Sequence, residues 1–236
     1  MPGLQQTFYP LKLVLTCEHA GNNVPGKYLD LFEVQKSVLE THRGFDPGAY
    51  DLFLTLSPLA NFKEFHLESR LLIEINRSLH HPSLFSSFTG NLPNSEKNAI
   101  IEKYYLPYRK KVEDAIEQYL AKGDEVLHLS VHSFTPQLNG NIRNADVGLL
   151  YDPARPSEKE FCQRFKSNLK LIKPDLKVRF NYPYLGTADG FTTYLRKKFP
   201  NRYSGVELEV NQKYVRENKM EPTIKKVILE ALQNSI

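Results

Sequence analysis

The run Lys12-Leu13-Val14-Leu15-Thr16-Cys17-Glu18-His19-Ala20-Gly21-Asn22-Asn23-Val24-Pro25 passes from apolar, β-branched residues into three polar side chains and then a glycine and a proline. It reads as a strand over 12–17 that opens into a tight loop, with Glu18 and His19 at the carboxyl end, where open α/β sheets place their ligands. The pattern returns at Leu129-Ser130-Val131-His132-Ser133-Phe134-Thr135-Pro136, again a strand that ends in a histidine and a loop. Outward from these two, strand-like runs fall at 61–66, 71–75, 126–131, 147–151, 178–181 and 205–210. Helical patterns lie between them. The clearest is 98–122, where Tyr104, Tyr108, Val112, Ile116 and Leu120 recur every four residues, Pro107 predicts a kink and Gly123 a stop. Ser157 with Glu160 reads as a capping box that opens a second helix, and 222–231 carries Ile224, Val227, Ile228 and Ala231 on one face. The order predicts an α/β fold, a mixed sheet with helices on both faces, in which the neighbouring runs 61–66 and 71–75 form a hairpin-like pair.

A chain of 236 residues is covered by one large core, so residues 1–236 read as a single domain. An apolar share of 41% and a charged share of 25% are ordinary for a globular protein, and no window approaches the roughly 18 apolar residues of a membrane span. The amino terminus has no basic leader, and its apolar run 11–17 is broken by Lys12, so the expectation is a soluble, cytoplasmic protein without a membrane partner. Cys17 and Cys162 lie in regular segments rather than at staple-like spacing, which argues against a disulfide. The net charge of +4 is spread out, and clusters such as Arg109-Lys110-Lys111 and Arg196-Lys197-Lys198 fall on helix faces without interleaved aromatics, so nucleic acid is not an expected partner. Oligomeric state is left open.

Two histidines at the ends of two strands can meet across a cleft, and neutral imidazole is the commonest zinc ligand. Catalytic zinc takes three protein ligands and a water, so a carboxylate is needed beside His19 and His132. Asp46, in His42-Arg43-Gly44-Phe45-Asp46-Pro47-Gly48-Ala49, and Glu18 are the candidates. Asp46 before Pro47 also reads as an N-cap for a helix over 49–56, and Glu18 faces the opposite side from His19 if the strand continues. In Ser69-Arg70-Leu71-Leu72-Ile73-Glu74-Ile75-Asn76-Arg77, two arginines bracket an apolar run, which suits a clamp on a carboxylate, with Asn76 adding a directed amide. Glu207, Glu209 and Asn211 share one face of a late strand, and a glutamate there suits a general base. Cys17 beside Glu18 and His19 is a weaker candidate nucleophile, because adjacent strand residues face opposite sides. His42, His66, His80, His81 and His128 have no partner spacing that assigns them a role.

With these residues laid out, the chain resembles the N-formylglutamate amidohydrolase family and, more distantly, the zinc carboxypeptidase and aspartoacylase group. The resemblance rests on six ordered motifs: CEHAGNNVP at 17–25, HRGFDPGA at 42–49, SRLLIEINRS at 69–78, VHSF at 131–134, DVGLLYDPARP at 146–156 and GVELEVNQ at 205–212. It implies a carboxypeptidase-like (phosphorylase/hydrolase-like) α/β fold and zinc-dependent hydrolysis of N-formyl-L-glutamate to formate and glutamate, as in histidine catabolism. By the same resemblance His19 and His132 are the metal histidines; the third ligand stays open between Asp46, the preferred residue, and Glu18. Arg70 polarises the scissile carbonyl, Asn76-Arg77 and Ser133 bind substrate, and Glu209, or else Glu207, is the base. One departure stands out: carboxypeptidase-type enzymes carry a metal-binding glutamate three residues after the first histidine, and that place here is Asn22. A deacylase for another N-acyl amino acid and a non-catalytic dicarboxylate-binding protein are the alternatives.

Overall fold

The computed structural model describes residues 9–236, so the reading of the extreme amino terminus lies in part outside the described residues. The expected opening strand is β1, Leu11–Cys17. A run of 3-10 turns over 26–40 leads to α1 (Ala49–Leu56) and the short β2 (Phe62–Phe65). After a long turn-rich stretch, α2 (Asn94–Ile100) continues through one π turn (Ile101–Tyr105) into α3 (Leu106–Ala121). Pro107 lies inside this continuous helical run, where it has no N–H to donate to the preceding turn, and the irregularity expected of it takes the form of the π turn just before. Gly123 ends the helix in the left-handed region at φ 90°.

The chain goes on to β3 (Glu125–Phe134), a small hairpin of β4 (Gln137–Leu138) and β5 (Asn141–Ile142), then β6 (Val147–Leu150) and α4 (Pro156–Ile172). Next come β7 (Val178–Phe180), α5 (Phe191–Lys198) and β8 (Tyr203–Asn211). A second hairpin, β9 (Val215–Arg216) with β10 (Lys219–Met220), precedes the closing α6 (Pro222–Gln233).

The main sheet has six strands in the order β2-β1-β3-β8-β6-β7. The first four are mutually parallel; β6 runs antiparallel to β8, and β7 is parallel to β6. The sheet is therefore mixed and covered by helices, as the sequence predicts, but its antiparallel element is not the expected one. Residues 71–75 form turns rather than a strand: Leu72 N–H donates to Ser69 and Glu74 N–H to Leu84. Leu72, Ile73 and Ile75 are buried against the helix α3 side of the core, so their apolar character fills volume instead of pairing in the sheet. The capping box also fails to form. Arg155 is the N-cap of α4 without a side-chain cap, Ser157 meets Ser204, and the acid that bonds the incoming chain is Glu158, which accepts from Asp152 N–H.

Alternation along the central strands sorts their side chains onto two faces. Leu13, Leu15 and Cys17 of β1, Leu127, Leu129 and Val131 of β3, and Val206, Leu208 and Val210 of β8 join the core shared with α1, α4 and α6. The opposite face starts apolar, with Val14, Val126 and Tyr203 under α3 and α5. It then turns polar towards the carboxyl ends, through Thr16, His128, Ser130 and His132 to Glu209, all of them buried. His128 lies in the middle of this file, with Nε2 2.7 Å from the Thr16 hydroxyl and Nδ1 2.8 Å from the Tyr203 hydroxyl. Both ring nitrogens are satisfied, and the file lines up the strand ends that carry the site. Among the described residues no helix is long and apolar enough to cross a membrane.

Burial pushes the pKa of His128 down to about 4, from 6.5. The fold therefore holds a neutral ring where the unfolded chain takes up a proton. The stability this contributes is whole above pH 6.5 and is lost as pH falls through about 4, in total on the order of 3 kcal/mol. Urea unfolding between pH 7 and 4 is expected to show a fall in stability that is smaller in His128→Gln, a variant already weaker at pH 7 because its amide cannot reproduce both hydroxyl contacts.

Candidate active site

β1 delivers Glu18 and His19 into a loop that lies flat against the chain at 66–67. Ala20 N–H donates to His66, Asn23 N–H to Leu67, and a Cβ on Gly21 would collide with the Leu67 backbone, so only glycine allows this approach. His132 stands near the end of β3, in register with Glu209 of β8. Asp46 arrives from the loop before α1, anchored by its N–H to the His19 carbonyl at 3.0 Å. Its Oδ2 lies 2.9 Å from His132 Nδ1 and 3.3 Å from His19 Nδ1, and the two imidazole centroids are 5.0 Å apart. One ligand atom from each of His19, Asp46 and His132 falls within 4.8 Å of the others.

Asp46 is not the helix cap. Gly48 occupies that position for α1, with φ 77°, because both Asp46 oxygens are already engaged, Oδ2 by the histidines and Oδ1 by Arg70 Nη1 at 3.3 Å. Glu18, the other candidate ligand, lies behind His132. It accepts from Ser130 Oγ at 2.5 Å and Tyr108 at 3.0 Å, and stands 3.3 Å from His132 Nε2. His19 has a matching carboxylate behind it, Glu74, whose Oε1 is 2.6 Å from His19 Nε2.

Each imidazole thus has one nitrogen tied back to an acid and the other turned towards the same Asp46 oxygen. With the back nitrogens as donors, two lone pairs would face a carboxylate, and a positive charge has to lie between them. In the protein alone protons play that part. Burial opposes protonation of His132, but its bonds to Asp46 and Glu18 outweigh burial and raise its pKa well above 6.5. The His19 pKa is raised as well: Glu74 and Asp46 prevail over burial and the Arg70 charge. Two imidazoles and one carboxylate, each histidine backed by a second acid, are also the donor set and the outer shell of a catalytic zinc site, so these residues fit such an ion.

The three residues form the floor of a cavity of about 210 Å³, which Arg70, Arg77 and Glu209 also line. Glu209 Oε2 is buried and has no hydrogen-bond partner among the described residues. Burial, helped by Asp46 and Glu207 and opposed by His132, pushes its carboxyl up to about 7. Glu207 accepts from the Thr192 hydroxyl at 2.8 Å.

The family model for N-formylglutamate amidohydrolase matches residues 11–215. The chain belongs to the N-formylglutamate amidohydrolase family. The crystal structure of gene product Atu2144 from Agrobacterium tumefaciens superposes with a TM-score of 0.78 at 24% identity, covering 94% of this chain and 90% of that one. That of an N-formylglutamate amidohydrolase from Ralstonia eutropha JMP134 gives 0.70 at 17% identity, covering 97% and 92%. A metallo-carboxypeptidase from Burkholderia cenocepacia matches loosely, at 0.39 and 16% identity, over 96% of this chain and 56% of that one. No curated protein matches significantly.

In this member of the N-formylglutamate amidohydrolase family, the sequence-derived site residues all reach one cavity, although several are already occupied. Arg70 is held in a fork by Glu74, through Nε at 2.7 Å and Nη2 at 2.5 Å, and lies at a turn rather than a strand end. Asn76 accepts from Phe191 N–H at 2.8 Å and so anchors the start of α5, while Arg77 donates to the Asp189 carbonyl. The Ser133 hydroxyl donates to Pro47 at 2.7 Å and accepts from Gln212, which ties β3 to the loop before α1. Cys17 is fully buried and its thiol pKa is raised well above 9.0 by burial and by Glu18 and Asp46, which removes it as a nucleophile. Three lining or supporting residues had no role in the sequence reading. Glu74 was hidden in an apolar run whose one acid was the available signal; His42, which opens the 42–49 motif without a partner spacing of its own, and Tyr184, which lies in no motif, line the cavity from loops.

Gly148 of β6 faces Glu209 across the antiparallel pair, and a Cβ there would collide with the Tyr182 carbonyl and crowd Glu209 Cβ at 3.2 Å. Gly148→Ala is therefore expected to cost about 1–3 kcal/mol in urea unfolding, with activity falling further than stability alone explains. Iodoacetamide on the folded protein is expected to leave Cys17 unmodified and activity intact.

Proposed function

We propose that this chain hydrolyses the amide bond of a small N-acyl amino acid, N-formyl-L-glutamate in the first place, with a zinc ion held by His19, Asp46 and His132. The observation that carries the reading is the convergence of these three side chains beside a buried carboxylate, Glu209, whose Oε2 has no partner among the described residues. A cavity of about 210 Å³ suits a substrate of a few water volumes (each ~30 Å³) and not a peptide. Family membership and the Ralstonia eutropha neighbour support the choice of formyl and glutamate. The substrate is a small solute of the cytoplasm, not nucleic acid or membrane.

A bound zinc would supply Lewis acidity, acidifying a water and polarising the acyl carbonyl. Glu209 takes a proton at Oε2 from the attacking water, whose oxygen bonds to the acyl carbon, and passes that proton to the nitrogen as the C–N bond breaks. Burial raises this carboxyl above the usual glutamate range, so it holds a proton more readily than an exposed glutamate and can both take one up and give it back. Arg70, fixed by Glu74 and Asp46, presents positive charge to the oxygen that becomes anionic, a contribution whose loss typically costs about 10² to 10³ in rate. Arg77, with Asn76 holding its loop against α5, receives the amino acid carboxylate.

A second reading, a deacylase for a longer acyl group, is favoured by the apolar mouth. Tyr184 and Leu185 line the cavity and are 47% and 63% exposed, more surface than a formyl group covers. A panel of N-formyl, N-acetyl, N-carbamoyl and longer N-acyl glutamates and aspartates is expected to give the highest kcat/KM with N-formyl-L-glutamate. A maximum elsewhere would favour the second reading, and binding without turnover would replace both with a dicarboxylate-binding protein.

Protein purified without chelator is expected to carry about one zinc per chain and His132→Ala much less; equal metal content would overturn the metal site. Glu209→Gln is expected to keep the zinc and lose about 10² to 10⁴ in kcat.

A further inference from the structure

Glu74 stands where the two halves of the site meet, and both of its oxygens are in use. Oε1 accepts from His19 Nε2 at 2.6 Å and from Asn76 N–H at 3.1 Å. Oε2 accepts from Arg70 Nε at 2.7 Å and Nη2 at 2.5 Å. It is 6% exposed, and although burial opposes its ionisation, the Arg70 and His19 charges hold its carboxyl well below the usual range. One ionised group therefore orients a histidine of the metal set, an arginine of the cavity wall and the backbone that leads into Arg77. Among the described residues Glu18, which backs His132, reaches only Ser130, Tyr108 and that imidazole.

We infer that Glu74 is a positioning residue that couples metal binding to substrate binding, a statement that rests on the metal-site reading above. The coupling is geometric. An Nε2–H bond to Glu74 keeps the proton of His19 off Nδ1, the nitrogen that faces Asp46, and makes that nitrogen more basic. The same carboxylate fixes the guanidinium of Arg70. All three neighbours of Glu74 are donors, so the amide of a glutamine cannot serve them together. With its oxygen towards Arg70, its NH₂ meets His19, and the imidazole can then accept that bond only by moving its proton to Nδ1. With its oxygen towards His19, its NH₂ opposes the arginine.

The test is competition for zinc against a chromogenic chelator, without substrate, on wild type, Glu74→Gln and Glu74→Asp, each shown by thermal unfolding to be folded. Steady-state kinetics with N-formyl-L-glutamate provide a second readout. E74Q is expected to bind zinc about 10- to 100-fold more weakly and, once saturated with zinc, to show a raised KM. E74D, which restores a carboxylate on a shorter stem, is expected to recover part of both. A folded E74Q with zinc affinity within about twofold of wild type would overturn the proposal and leave the metal site standing. Wild type that binds no zinc would overturn the metal site and this coupling with it. Should E74Q fail to fold, E74D carries the test: a smaller loss in the same direction supports the coupling, and unchanged affinity overturns it.

Discussion

The interaction on which the structure turns is the burial of three carboxylates, Glu18, Asp46 and Glu74, around two imidazoles and one guanidinium. All three are held well below their usual pKa although burial opposes ionisation. With both histidines neutral, the three acids and Arg70 leave two negative charges in a place with little water. Charge buried without compensation costs several kcal/mol per ion, so the fold must either keep protons on the histidines or accept a dication. The arrangement of donors is explained by that requirement: every acid is shared, and every imidazole nitrogen faces an oxygen.

The polar file along the central strands is how the fold reaches this state. Parallel strands buried on both faces are usually apolar on both. Here Thr16, His128, Ser130 and His132 replace apolar residues on one face: Thr16 of β1 pairs with His128 of β3, His128 also reaches Tyr203 of β8, and Ser130 and His132 pair with each other and with Glu18 just past β1. The helices α3 and α5 are therefore more than cover, since Tyr108 of α3 bonds Glu18 and the start of α5 receives Asn76.

Much of this was legible in the sequence, for definite physical reasons. His19 and His132 each follow a strand-like run, and chain reversal at strand ends puts such residues on one edge of a sheet. The α/β order and the two-faced alternation could be read in the same way. The stretch 71–75 was misread because apolar residues that fill a core from a turn have the same composition as a strand, and only long-range bonds such as Glu74 N–H to Leu84 distinguish them. Asp46 carried two readings, ligand and cap, because Asp-Pro is a local signal for a cap, whereas the two histidines that claim its carboxylate are brought in by distant strands. The reversal of β6 has no local signature at all, since direction depends on which neighbour a strand finds.

The sheet order also governs when the site can come into being. His132 and Glu209 sit on the adjacent strands β3 and β8, and His19 just past the end of neighbouring β1, yet β8 is the last strand of that sheet to leave the ribosome. Until it arrives, β3 is an open edge, the cavity has no Glu209, and the β6–β7 pair has no strand to join it to β3. A growing chain therefore exposes its two histidines well before it can use them, and completion of the sheet and assembly of the reactive centre are one event.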